Sequence, residues 1–104
     1  EEDEEYKRQM QQLAALRQTA QETLEEAKRQ MKRAKEKREE RRREAALPNG
    51  APMTPEEESA LIRESQFQKA EYKRMERAWK ERIAPLQQTV SDYGGRHTGI
   101  EKRT

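Results

Sequence analysis

The side chains best suited to covalent or acid–base chemistry are almost absent from this sequence. It contains one histidine, His97, and no cysteine, and it shows no Gly-rich phosphate loop, nucleophile motif or metal-ligand cluster. His97 stands near the C-terminus, in Arg96-His97-Thr98-Gly99, without the supporting residues that a catalytic site needs. Carboxylates are numerous, but we expect them on solvated helix faces without a pocket to tune them. We therefore predict a non-enzymatic chain with no cofactor, no metal site and no small-molecule substrate.

The other chemically suggestive feature is a basic stretch from Lys28 to Arg43. Ten Lys/Arg and four Glu lie between Lys28 and Glu44, a local net charge of +6. The pattern fits contact with nucleic-acid phosphates or a nuclear-import signal. The interleaved glutamates instead favour a solvated helix held by its own ion pairs, and no aromatic residue accompanies the stretch to stack on bases. The candidate phosphate contacts are Lys35, Lys37, Arg38, Arg41, Arg42 and Arg43.

The composition limits the fold that can position these residues. Of the 104 residues, 42% are charged and only 30% are hydrophobic, against about 45–50% in ordinary globular domains. Eleven residues are Leu, Ile, Val or Phe, too few to offset the backbone entropy lost on folding the whole chain alone. Abundant Ala, Glu, Lys, Leu and Arg indicate long helices or coiled coil. The chain begins at Glu1 rather than Met, which indicates a processed chain or a fragment.

The pattern divides the chain into two helices and a break. Residues 1–47 hold no Gly or Pro and predict one long charged helix, and residues 48–53 form a Pro/Gly-containing linker. A second helix is expected over residues 54–93, where Thr54 caps, Pro55 takes the first helical position and Glu57 completes a capping box. Pro85 should kink it. Gly94-Gly95 should end it, leaving residues 94–104 as a flexible tail. The predicted fold is all-α, extended and coiled-coil-like.

The first helix carries a thin heptad seam. Apolar and small residues recur at alternating spacings of four and three from Tyr6 to Ala34, as at positions a and d of a coiled coil. Alanine and methionine fill much of it, and Arg17 interrupts it. The larger seam residues are Met10, Leu13, Leu24 and Met31. Charged flanks supply pairs four residues apart, such as Glu4/Arg8 and Glu25/Arg29, each contributing roughly 0.2–0.5 kcal/mol.

The second helix carries a richer face. Trp79 is its largest apolar side chain, and Tyr72 and Met75 precede it at seven and four residues, so the three project from one side. Phe67 lies about a third of a turn away, so the helix has apolar groups on two faces and is expected to touch more than one neighbour. The alternative is that Trp79 packs inside the chain against the first helix. The candidate partner-binding residues are Leu61, Phe67, Tyr72, Met75, Trp79, Ile83 and Leu86.

These patterns predict a scaffold or adaptor segment that lies along protein subunits of a larger assembly. A second hypothesis is a nucleic-acid-associated helix in a ribonucleoprotein or chromatin complex, acting through Lys28–Arg43. A third is self-association into a coiled-coil dimer or bundle. No apolar run is long enough to cross a bilayer, so membrane insertion is not expected. The absence of cysteine fits an intracellular, reducing compartment, and the basic stretch favours nucleus over cytoplasm.

Overall fold

The computed structural model describes the backbone of residues 2–103 and the side chains of residues 4–94. Over that part of the chain the fold is all-α, with two helices, α1 (Glu2–Ala46) and α2 (Pro55–Arg103), and no strand. His97 and the side chains of the predicted tail beyond Gly94 lie outside the described residues.

The chain forms two compact units, and each helix contributes a segment to both. The terminal unit contains Glu1–Glu22 and Arg77–Thr104, and the loop unit contains Thr23–Glu76. In the terminal unit, the start of α1 lies beside the later part of α2, where the Tyr6 and Tyr93 ring centroids are 6.2 Å apart. In the loop unit the two segments form an antiparallel helical hairpin. Lys37 contacts Glu64 and Arg41 contacts Glu57, so partner numbers fall in α2 as they rise in α1.

The start of α2 confirms Thr54 as the cap, but the Glu57 carboxylate of the predicted capping box is hydrogen-bonded to Arg41. Thr54 Oγ1 accepts a hydrogen bond from the backbone N–H of Glu57 at 3.1 Å, and the Thr54 carbonyl accepts one from Glu58 at 3.0 Å. Pro55 takes the first helical position, where its missing N–H costs no hydrogen bond. Glu56, Glu57 and Glu58 occupy the first turn, at the positive end of the helix dipole.

The loop between the helices contains a tight turn at Leu47–Gly50. The Gly50 N–H donates to the Leu47 carbonyl at 2.9 Å, with Pro48 and Asn49 at the two central positions. The described residues include none with positive φ, which fits a type I turn. A Cβ on Gly50 would overlap the backbone carbonyl oxygen of Glu44 and lie 3.2 Å from the Leu47 oxygen. Glycine is therefore required here for close approach, not for loosening the backbone.

The far end of α2 differs from the sequence prediction. The helix continues through Gly94 to Arg103 instead of ending at Tyr93. Glycine weakens a helix interior by about 1 kcal/mol without forbidding it, and Tyr6 from α1 lies beside Gly94. Packing in the terminal unit therefore favours continuation where propensity alone favours a stop.

Pro85 lies inside α2 and does not divide it. Its ring removes the N–H that would otherwise bond the carbonyl of Glu81. One turn on, Thr89 Oγ1 donates to the Pro85 carbonyl at 3.0 Å, and such back-bonding by threonine also tends to bend helices. A kink at this position stays a prediction.

Candidate functional site

The aromatic face of α2 is turned inward in both units. Leu61, at 8% exposure, is buried, and the other members of the face are half-buried. That these residues share one face is confirmed, and that the face binds a partner stays a prediction. The half-buried members are Gln68, Tyr72 and Met75 in the loop unit and Trp79, Ile83 and Leu86 in the terminal unit.

Two aromatic rings on this face are accompanied by cations. The Lys28 ammonium lies 5.9 Å from the Tyr72 ring centroid, which joins α1 to α2 in the loop unit. The Arg82 guanidinium lies 5.2 Å from the centroid of Trp79, one turn earlier on the same helix. Cation–π contacts at such accessible sites contribute about 0.5–1 kcal/mol. Trp79 therefore presents an aromatic surface with a charged margin, while remaining only half-buried.

Phe67 is separate from that face, as the spacing predicted. Its side chain is 60% exposed, and it falls among outward-facing neighbours on α2. The salt bridge between Arg74 and Glu71, at 2.8 Å, lies one to two turns further along. Its hydrogen bonds lower the pKa of Glu71 and raise that of Arg74.

The seam of α1 keeps some of its predicted positions and loses others over its first half. Leu13 and Ala20 are buried as the spacing predicts, but Met10 is 43% exposed and Arg17 is exposed. Gln9 and Leu16, the residues just before them, are half-buried instead. At these two positions the inward side chain is therefore one residue earlier than predicted. Further along, Leu24 and Met31 are half-buried, and Ala34 is buried.

The basic stretch is partly neutralised by α2, a pairing that the sequence analysis missed. Lys37 contacts Glu64 at 3.3 Å and Arg42 contacts Glu58 at 3.1 Å. Within α1, Arg8 pairs with Glu5 and Arg29 with Glu26, each three residues apart. A hairpin brings the acidic start of α2 to the basic end of α1. The opposite charges of these two segments in the sequence could have predicted this pairing.

Arg41 makes the most extensive of these contacts. Its Nε and Nη2 donate to the two carboxylate oxygens of Glu57, and its Nη1 donates to the Ala51 carbonyl at 3.1 Å. A longer contact of 3.5 Å reaches the Pro52 carbonyl. One guanidinium therefore joins α1, the loop and the start of α2, with the forked geometry that only arginine supplies.

This pairing changes the acid–base behaviour of both groups. The hydrogen bond from Arg41 holds the pKa of Glu57 below its usual value, with a smaller lowering from the Thr54 backbone. The same hydrogen bond raises the pKa of Arg41. Both groups therefore stay charged at neutral pH, and protonation of Glu57 in acid removes the ion pair.

The terminal unit contains two contributors that the sequence analysis did not single out. Val90 is buried at 9% exposure, and Tyr93 lies against Tyr6 with the rings tilted by 50°. Both continue the spacing of four and three from Ile83 and Leu86, so the periodicity contained the signal.

The loop unit has clefts on its surface, one of about 520 Å³ beside Pro55 and Ile62. A cleft of about 260 Å³ lies beside the Arg41–Glu57 pair, but Arg41 and Lys37 on its wall already pair with Glu57 and Glu64. Within residues 4–94, no group of three or more His, Cys, Asp or Glu is placed to hold a metal ion. Neither helix, over the part searched, has an apolar window long enough for a membrane span.

Comparison with protein-family models, curated proteins and solved structures finds no match for the chain.

Proposed function

We propose that the chain is a non-catalytic helical scaffold or adaptor segment whose helices lie along protein subunits of a larger assembly. The observation that carries the proposal is incomplete burial. Among the described side chains, only Leu13, Ala20, Ala34, Leu61 and Val90 fall in the buried apolar core. The large residues Trp79, Ile83 and Leu86 are covered on one side only.

Such a surface gains from a further helix. Burial of apolar area contributes about 25 cal/mol per Å², and aromatic side chains dominate measured interface energies. A partner that covers the remaining area of Trp79 and its neighbours would gain this term without separating α1 from α2. Arg77, Lys80 and Arg82 supply the polar rim that surrounds such anchors.

The ion pairs support the scaffold over a nucleic-acid-binding role. Lys37, Arg41 and Arg42 are three of the six candidate phosphate contacts, and each is engaged by a glutamate of α2. Phosphate binding would have to displace those carboxylates. The nucleic-acid alternative predicts a steep fall of affinity with salt, and the self-association alternative predicts a concentration-dependent mass in sedimentation.

The expected cellular compartment is inferred from the sequence composition alone. Lack of cysteine fits a reducing intracellular setting, and a basic run of this kind favours the nucleus over the cytoplasm.

The test compares three truncations for binding to the native partner, identified by affinity capture of the intact chain. Trp79→Ala should weaken binding by about 2 kcal/mol, roughly thirtyfold. Leu24→Ala should cost less, and Phe67→Ala tests the second apolar face of α2, about a third of a turn from Trp79. Far-UV circular dichroism of each variant separates lost binding from lost helix.

If Trp79→Ala binds like wild type while Leu24→Ala does not, α1 carries the interface and the assignment to α2 is wrong. If the intact chain captures no protein and instead binds duplex RNA with a steep salt dependence, the scaffold proposal fails.

A further inference from the structure

On one flank of the loop unit the two helices lie side by side, and we call the surface between them the groove. Two contacts mark its line: Lys28 lies over the Tyr72 ring at 5.9 Å, and Arg42 pairs with Glu58 at 3.1 Å. Lys35 is seven residues from both Lys28 and Arg42, so it shares their line on α1. The line from Lys28 to Arg42 spans about 21 Å at 1.5 Å per residue, enough to seat a helix of four turns.

The floor of this groove is apolar and incompletely covered. Leu24 and Met31 stand one turn from the Lys28–Arg42 line, and Ile62 stands one turn after Glu58 on α2. These three side chains and Tyr72 are half-buried. The hairpin thus leaves a strip of apolar surface that a third helix would cover, as in bundle packing.

The rim of the groove is positively charged. Lys28, Lys35, Arg38, Arg42 and Lys69 outnumber the carboxylates of the same flank, Glu39, Glu58 and Glu76. Among the described side chains, Lys35, Arg38 and Lys69 have no ion-pair partner within the chain, and the buried Nε of the half-buried Arg38 has no acceptor. On the opposite flank, Lys37 and Arg41 are matched by Glu64 and Glu57. Positive charge is therefore uncompensated on one flank only.

We propose that this groove receives an acidic amphipathic helix of a partner protein. Its apolar side chains cover Leu24, Met31 and Tyr72, and its carboxylates meet Lys35, Arg38 and Lys69. The proposal rests on the proposed scaffold function and names the chemistry of its partner. A helix is favoured over a nucleic acid because phosphates would leave the apolar floor uncovered, whereas an amphipathic helix satisfies floor and rim together.

The test uses a designed, fluorescein-labelled peptide of three heptads with Leu at a and d and Glu at e and g. Binding to the intact chain is measured by fluorescence anisotropy. The same peptide with Lys at e and g should bind at least tenfold more weakly. The pair Lys35→Glu with Arg38→Glu should weaken binding of the Glu peptide at least tenfold. The matched control, Arg33→Glu with Arg43→Glu, alters exposed cations away from the groove and should change it less than twofold.

Two further variants keep the test decisive if the paired substitution harms folding. Lys35→Glu alone changes an exposed side chain and should weaken binding about threefold or more. Met31→Lys, checked for unchanged helicity, should remove the apolar contribution and weaken binding at least tenfold.

Several results would overturn the proposal. If the groove and control variants lose peptide binding equally, the attraction is unspecific charge attraction. If a peptide with Ser in place of Leu binds as tightly as the original, the apolar floor does not contribute to binding. Displacement of the peptide by duplex RNA in a manner sensitive to Arg33 and Arg43 would assign the surface to nucleic acid. A wild-type dimer dissolved by Lys35→Glu with Arg38→Glu would assign the groove to a second copy. If any of these is seen while the native partner still depends on Trp79, only the groove assignment fails, not the scaffold function.

Discussion

The two units of this chain differ in the contacts that stabilise each one internally. In the terminal unit the contacts are apolar and aromatic, with Leu13, Ala20 and Val90 buried and Tyr6 against Tyr93. In the loop unit Ala34 and Leu61 are also buried, and charge-assisted hydrogen bonds join the two helices in addition, of which the Arg41–Glu57 pair is the most extensive. The difference follows from chain connectivity.

A short loop brings residues 23–46 and 55–76 together at a small entropic cost, so modest apolar burial supplemented by polar contacts near the surface can hold them together. The segments of the terminal unit come from distant parts of the sequence, and their association needs the stronger driving force of apolar burial. We therefore expect the terminal unit to respond to loss of apolar volume, and the loop unit to respond to backbone fit, salt and acid.

The largest expected effect is that of Leu13→Ala. Leu13 is 3% exposed, and truncating a buried leucine costs about 2–5 kcal/mol, here at the lower end because the core is thin. Amide hydrogen exchange followed by mass spectrometry should show lost protection over residues 4–22 and 77–94, with residues 28–72 little changed. Leu47→Ala, at a side chain 61% exposed, is the control. An equal loss over residues 28–72 would show that the two units unfold as one.

The next effect is that of Gly50→Ala. A Cβ there meets backbone atoms of Glu44 and Leu47, so the turn must shift, at a cost of about 1–3 kcal/mol by analogy with other overpacking changes. Amide hydrogen exchange should become faster at the loop and in the adjoining turns of both helices. Unchanged protection there would mean that the loop relaxes freely and does not set the hairpin.

Acid should loosen the loop unit through Glu57. Because its folded pKa lies below the ordinary value of 4.5, the stabilisation is fully present above about pH 4.5 and is lost as pH falls through the lowered value. Protection of residues 41–57 should therefore decline below pH 4.5. In the variant Arg41→Gln, measured over the same pH range, protection of these residues should be lower at neutral pH and should fall less as the pH is lowered. A step of equal size in the variant would assign the acid response to other carboxylates.

The smallest effect has the opposite sign. Gly94→Ala places a Cβ 3.8 Å from the Tyr6 hydroxyl oxygen, an ordinary contact distance, while removing the entropic cost of glycine in a helix. The terminal unit should gain about 0.5–1 kcal/mol, seen as slower exchange around residues 86–94. Gly94→Ala and Gly50→Ala together compare the effect of the same substitution at an open position and at a confined one. A loss of protection would mean that glycine is needed at this approach to Tyr6.

The sequence by itself determined the two helices and much of the apolar face of α2. Helix periodicity, capping and turn formation depend on residues three or four apart, so the start of α2 at Pro55, the common face of Leu61, Tyr72 and Trp79, and the separation of Phe67 could all be predicted. These features require no knowledge of what lies across the interface.

The tertiary structure decided what depends on the neighbouring helix. Gln9 and Met10 differ by one position, and only the placement of α2 selects Gln9 for the inward line. Likewise, Arg41 could have paired within α1, and its bond to Glu57 exists because the loop returns α2 to that point. Local spacing fixes the direction of a side chain on its own helix, but the partner that it meets is set by how the chain returns.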